Sequence, residues 1–111
     1  MVTTSEERKA ENEATFREAN EHIRAAEREL KPPLERVPYL CECEDASCVE
    51  PVRLTPQEYE RVRSDPTWFV IVSGHPTSGD PVADGDGYRI VEKTGVAAEV
   101  AAALDPREEA L

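Results

Sequence analysis

Three observations in the 111-residue sequence predict an α+β fold stapled by a metal. The N-terminal stretch is rich in Glu, Ala and Arg and lacks Gly and Pro, short apolar runs are bounded by Pro and Gly, and three cysteines lie within eight residues. The expected architecture is a small antiparallel sheet, built from a hairpin over 37–54 plus strands over 68–72 and 88–93. One helix over 55–64 packs on it, a long helix over 3–31 precedes it, and a C-terminal helix follows. Residues 1–33 would then be a docking or coiled-coil arm, and residues 34–111 a small metal-binding domain. A chain of this size buries only about two-thirds of its unfolded surface, so a bound metal would be a useful staple.

From Thr3 to Lys31 helix propensity alone favours one long helix, with Thr4 or Ser5 as its cap, ended by Pro32 and Pro33. Phe16, Ile23 and Leu30 recur every seven residues, with Ala19 and Ala26 between them. Such a seam wants a partner, which is either the protein's own body, a second copy or another protein. Val37–Cys41 and Val49–Leu54 read as the two strands of a hairpin with the Cys43–Cys48 loop at its tip. Thr55, Pro56 and Glu58 carry a helix-start signal: N-cap, proline at the first helical position and a capping box. That helix presents Tyr59 and Val62 to the core.

Trp68–Val72 is five apolar residues of high strand propensity between Pro66 and Gly74, expected as the central strand. Pro76–Gly87 holds three glycines, two prolines and three aspartates and reads as a loop or long hairpin connection. Tyr88–Lys93 is the last strand. In the helix expected from Gly95, Val96, Val100 and Leu104 share a face.

Thirteen basic against twenty-four acidic residues give a net charge of -11, which argues against nucleic acid or an anionic membrane as the main partner, since both need a cationic footprint. A basic protein surface is the better partner. Residues 1–36 carry nine acidic and seven basic residues and residues 37–111 fifteen and six, so the acidic character belongs to the body. No apolar run approaches the roughly 20 residues needed to span a bilayer, and the polar start is unlike a secretory signal, so a cytoplasmic location is expected.

In a reducing compartment three cysteines point to metal binding or redox chemistry, not to structural disulfides. Cys41, Cys43 and Cys48 form C-x-C-x4-C within CECEDASC, and His75 follows twenty-six intervening residues later in SGHP. Zinc takes tetrahedral thiolate and imidazole ligands, and Cys3His is one of its closed sets. His75, between Gly74 and Pro76, would be the fourth ligand. Glu42, Glu44, Asp45 and Glu50 are expected as solvated charge, with a fallback as the fourth ligand. A two-iron, two-sulfur cluster is the alternative cofactor, since the C-x-C start with three cysteines and one histidine resembles the ligand set of CDGSH-type proteins. Here, though, no histidine stands close behind Cys48.

The residues also resemble a group of small actinobacterial proteins. The shared features are NEATFREAN at Asn12–Asn20, the C-E-C cluster, LTPQEYERVR from Leu54, the Gly74–His75 pair and YRIVEK from Tyr88. The resemblance covers most of residues 12–93. It implies that the cysteines and His75 belong to one recurring framework, and it brings no activity with it.

A complete Cys3His set leaves no open position for substrate water, and the acidic neighbours disfavour a reactive thiolate. The sequence therefore points away from an enzyme. It points to a cytosolic structural-zinc domain that acts as a protein-interaction or regulatory adaptor, with Phe16, Ile23 and Leu30 as partner-binding residues. A redox or metal-responsive switch using the zinc thiolates and an iron-sulfur electron carrier are the alternatives.

Overall fold

The computed structural model describes residues 5–45 and 47–107. Within them the order is α1 (Ser5–Glu27), β1 (Val37–Leu40), β2 (Pro51–Leu54), α2 (Pro56–Val62), β3 (Trp68–Val72), β4 (Asp80–Asp84), β5 (Tyr88–Glu92) and α3 (Gly95–Ala103). The expected helix start at Thr3 and the Thr4 cap lie outside the described residues.

The class is α+β, with three helices and two small antiparallel sheets where one was expected. β1 and β2 pair by themselves, Tyr39 opposite Val52, and alternation sends Val37, Tyr39, Val52 and Leu54 into the core. The second sheet runs β3-β5-β4, so β5 is central and β3 lies at the edge, contrary to the expectation for Trp68–Val72. β3 is buried on both faces through Phe69, Val70 and Ile71, and its outer edge is covered as well. There the Glu42 N–H donates to Val70 O at 2.8 Å, which ties the cysteine segment onto the sheet.

The stretch expected as a loop or long hairpin connection contributes β4. Pro81 and a register shift between Pro81 and Ala83 disguise it, and an edge strand tolerates both. Its turn to β5 needs Gly87 at φ 81°. At Gly85 a side chain would meet the Tyr88 ring 2.1 Å away.

α2 forms as its start signal predicts. Glu58 N–H donates to Thr55 Oγ1 at 3.1 Å, and Thr55 N–H donates to Glu58 Oε1 at 2.8 Å. Tyr59 and Val62 are fully buried, and the Tyr59 ring stacks on Tyr39 at 4.2 Å. Burying side chains of this size contributes about 1.5–3 kcal/mol each.

α1 ends at Glu27, short of the expected Lys31, and packs on the body through a face that apolar periodicity does not mark. The buried positions are Ala10, Glu13, Ala14, Arg17, Asn20 and Glu27. Arg17 donates to Pro66 O and to Ala101 O, both at 2.6 Å, and lies 4.4 Å from the Phe69 ring centroid. Glu13 accepts from Lys93 Nζ at 2.6 Å, each side chain 2% exposed. The Phe16, Ile23 and Leu30 seam is divided: Phe16 and Ile23 are half-buried, with Ile23 against the core, and Leu30 lies past the helix end. In α3 the buried residue is Ala101, while Val96 and Leu104, on the face they share, are exposed.

Candidate metal centre

Cys41 follows β1, Cys43 starts the loop and Cys48 ends it. The loop is folded back by its own polar groups. Asp45 Oδ1 accepts from the Ser47 N–H at 2.9 Å and from the Ser47 hydroxyl at 2.6 Å, and the Cys48 N–H donates to Asp45 O at 3.0 Å. Such an Asx turn brings a chain around without a glycine. His75 arrives from β3 through a turn closed by His75 N–H to Val72 O at 3.1 Å, with Gly74 at φ 88° in the position that requires positive φ.

The four side chains meet. One ligand atom from each of Cys41, Cys43, Cys48 and His75 lies within 4.8 Å of all the others. His75 Nδ1 is 3.5 Å from both Cys41 Sγ and Cys48 Sγ. Around a tetrahedral zinc, bond lengths of about 2.3 Å to sulfur and 2.0–2.1 Å to nitrogen place sulfur and nitrogen about 3.6 Å apart. This quartet can therefore hold a metal ion, with Nδ1 as the imidazole ligand.

The surroundings suit that role. His75 Nε2 lies 3.3 Å from Glu50 Oε2, which puts a carboxylate at one ring nitrogen and the thiols at the other. A carboxylate behind a ligating imidazole fixes the ring and raises its basicity. Glu50 thus stands at the ring nitrogen of His75 away from the thiols. The Val72 N–H donates to Cys41 Sγ at 3.2 Å, a contact that favours thiolate. Burial raises the thiol pKa of Cys41 and of Cys43, opposed by backbone hydrogen bonds at Val72 and Asp45. A cation among them supplies the charge that desolvation removes, and its binding would release protons.

The acidic residues of CECEDASC do not all behave as solvated charge. Glu42 is completely buried and its carboxyl is pushed up to about 7 by burial, opposed by hydrogen bonds from Val70 N–H and Asn20. Glu44 is largely covered, accepting from the Ser78 N–H with Lys93 nearby. Only Asp45 and Glu50 match the expectation of exposure. Asn20 is the residue that sequence reasoning missed. Its amide binds Leu40 and Glu42 from α1, and its one visible cue is its place in the spacing of Glu13, Arg17, Asn20, Arg24 and Glu27.

Fold and site together define a small α+β domain with a Cys3His cluster able to bind a metal. No protein-family model, curated protein or solved structure matches the chain. Among the described residues no helix is long and apolar enough to cross a membrane.

Proposed function

We propose that this is a structural-zinc domain of the cytoplasm that works by binding another protein, as an interaction or regulatory adaptor, without catalysis. The observation that carries the reading is the closed quartet of Cys41, Cys43, Cys48 and His75 within 4.8 Å. Three thiolates and an imidazole complete a tetrahedral shell and leave no coordination position for a substrate. Buried Cys41 and Cys43 belong to the same core cluster as Tyr39, Val52 and Phe69, so the ion would join the hairpin to the second sheet. A single ion suits this compact set better than a two-iron cluster, which divides its ligands between two metal atoms.

The partner surface we favour is the acidic body, with fifteen acidic residues to six basic over 37–111, facing a basic protein. Beside the metal, Val49 is 86% exposed and flanked by Glu50. Membership of the actinobacterial group is part of the same proposal.

The test is cobalt substitution followed by capture from native cytosol. Tetrahedral Co(II) bands with thiolate charge transfer, and a partner retained by the metal-loaded chain but lost after Val49→Glu, are the expected results. An octahedral cobalt spectrum rules out the site, and unchanged capture rules out that surface.

One observation favours a second reading, a redox-responsive switch: Cys48 is the half-exposed thiol of the set. Two zinc thiolates and one hydrogen peroxide, with two protons, would give a disulfide, two waters and free zinc. Zinc retained under mild peroxide removes this reading.

A further inference from the structure

The buried contact between α1 and the ligand segment carries the argument beyond the four ligands. Asn20 uses its whole amide. Oδ1 accepts the Leu40 N–H at 2.7 Å, while Nδ2 donates to Leu40 O at 3.0 Å and to Glu42 Oε2 at 2.8 Å. Glu42 in turn joins β3 twice, its N–H donating to Val70 O at 2.8 Å and its Oε1 accepting the Val70 N–H at 2.9 Å. Both Asn20 and Glu42 are completely buried.

These contacts have a geometric consequence for the metal. In an extended segment neighbouring side chains point to opposite faces, so fixing Glu42 towards α1 and β3 turns Cys41 and Cys43 together to the other side, where His75 stands. The acidic residue between the two cysteines is thus an anchor. Its partner is Asn20 on α1, twenty-two residues upstream.

We infer that Asn20 and Glu42 are positioning residues for the metal centre, and that metal binding and the docking of α1 are thermodynamically linked. The inference rests on the metal-binding reading above. Linkage is reciprocal: if the docked helix holds the thiols in the binding geometry, the bound ion favours the docked helix by the same factor. Residues that orient metal ligands from behind commonly change affinity about 10- to 100-fold when removed.

Competition with a chromophoric chelator tests this on the full chain. Asn20→Ala should still bind one zinc, with affinity about 10- to 100-fold lower, and its cobalt form should show shifted thiolate charge-transfer bands. Val62→Ala, a core cavity on α2 outside the ligand segments, controls for lost stability and should leave zinc affinity within about twofold of wild type; cavities of this kind act on global stability. The converse measurement needs no variant. Amide exchange across residues 13–24 of the wild-type chain should quicken when zinc is removed, and it keeps the inference testable if Asn20→Ala fails to fold. Equal zinc affinity in Asn20→Ala and wild type, an equal loss in Val62→Ala, or α1 exchange indifferent to zinc would each overturn the linkage. Absence of zinc binding by the wild-type chain would instead overturn the metal-centre reading itself.

Discussion

Glu13 and Lys93 form an ion pair at 2.6 Å, eighty residues apart in sequence and each 2% exposed, which fastens the N-terminal helix to the end of the central strand. Burial raises the pKa of Glu13, opposed by Lys93, so the carboxylate depends on its partner. Removing one member leaves an uncompensated buried charge, which costs about 3–5 kcal/mol, whereas replacing both with apolar side chains is often near neutral. Lys93→Met should therefore destabilise strongly, and Glu13→Met with Lys93→Met should recover most of the loss. Urea unfolding of the two variants measures the difference; equal destabilisation would show that the cost does not come from leaving Glu13 without its partner.

Deleting residues 1–31 should unfold or loosen the body. Arg17 supplies hydrogen bonds to Pro66 O and Ala101 O, and Asn20 supplies those to Leu40 and Glu42, so truncation strips these carbonyls and one Glu42 carboxylate oxygen of their partners. The amide spectrum of residues 32–111 is the measurement. A dispersed, native-like spectrum would mean that the helix is a detachable arm.

Stability should fall in acid partly through Glu60. Hydrogen bonds from Arg107, and then from Arg24, hold its carboxyl down to about 2 from an ordinary 4.5. A depressed folded value means the stabilisation is complete above the unfolded value and is lost as pH falls from about 4.5 to about 2. Arg107→Ala should be less stable than wild type at pH 7, and the gap should narrow towards pH 2. Both chains titrate the metal ligands alike, and the difference reports the Arg107 contacts, with Glu60 and with Glu21, whose carboxyl the same guanidinium helps to lower. A gap independent of pH would contradict it.

Gly74→Val should act on the site through the backbone. At φ 88° an L side chain is strained by about 1–2 kcal/mol even though no atom lies within 4 Å of its Cβ. The turn that aims His75 would shift, so zinc affinity should fall together with thermal stability. Unchanged affinity would show that His75 does not need this turn.

Local chemistry made much of this legible beforehand. Thr55, Pro56 and Glu58 announce a helix start by short-range hydrogen bonding, and the C-x-C spacing with a histidine after a strand announces the quartet. What stayed hidden depends on long-range contacts. Glu42 looks like solvated charge until Asn20 and Val70 close over it. The polar stripe of α1 shows no hydrophobic period, because hydrogen bonds and ion pairs bury it, and the seam of Phe16, Ile23 and Leu30 drew attention to the less buried side. β4 was masked by Pro81 and its bulge, features that sequence reading assigns to loops. The edge position of β3 was invisible because the cysteine segment covers that edge as a neighbouring strand would.

Metal content tests the central claim most directly. Elemental analysis of the purified chain should find one zinc per molecule, and Cys43→Ser should carry much less and lose its folded hairpin, since structural zinc supplies on the order of 10 kcal/mol in small domains. A wild-type chain free of metal, or Cys43→Ser with full zinc content, would contradict the account.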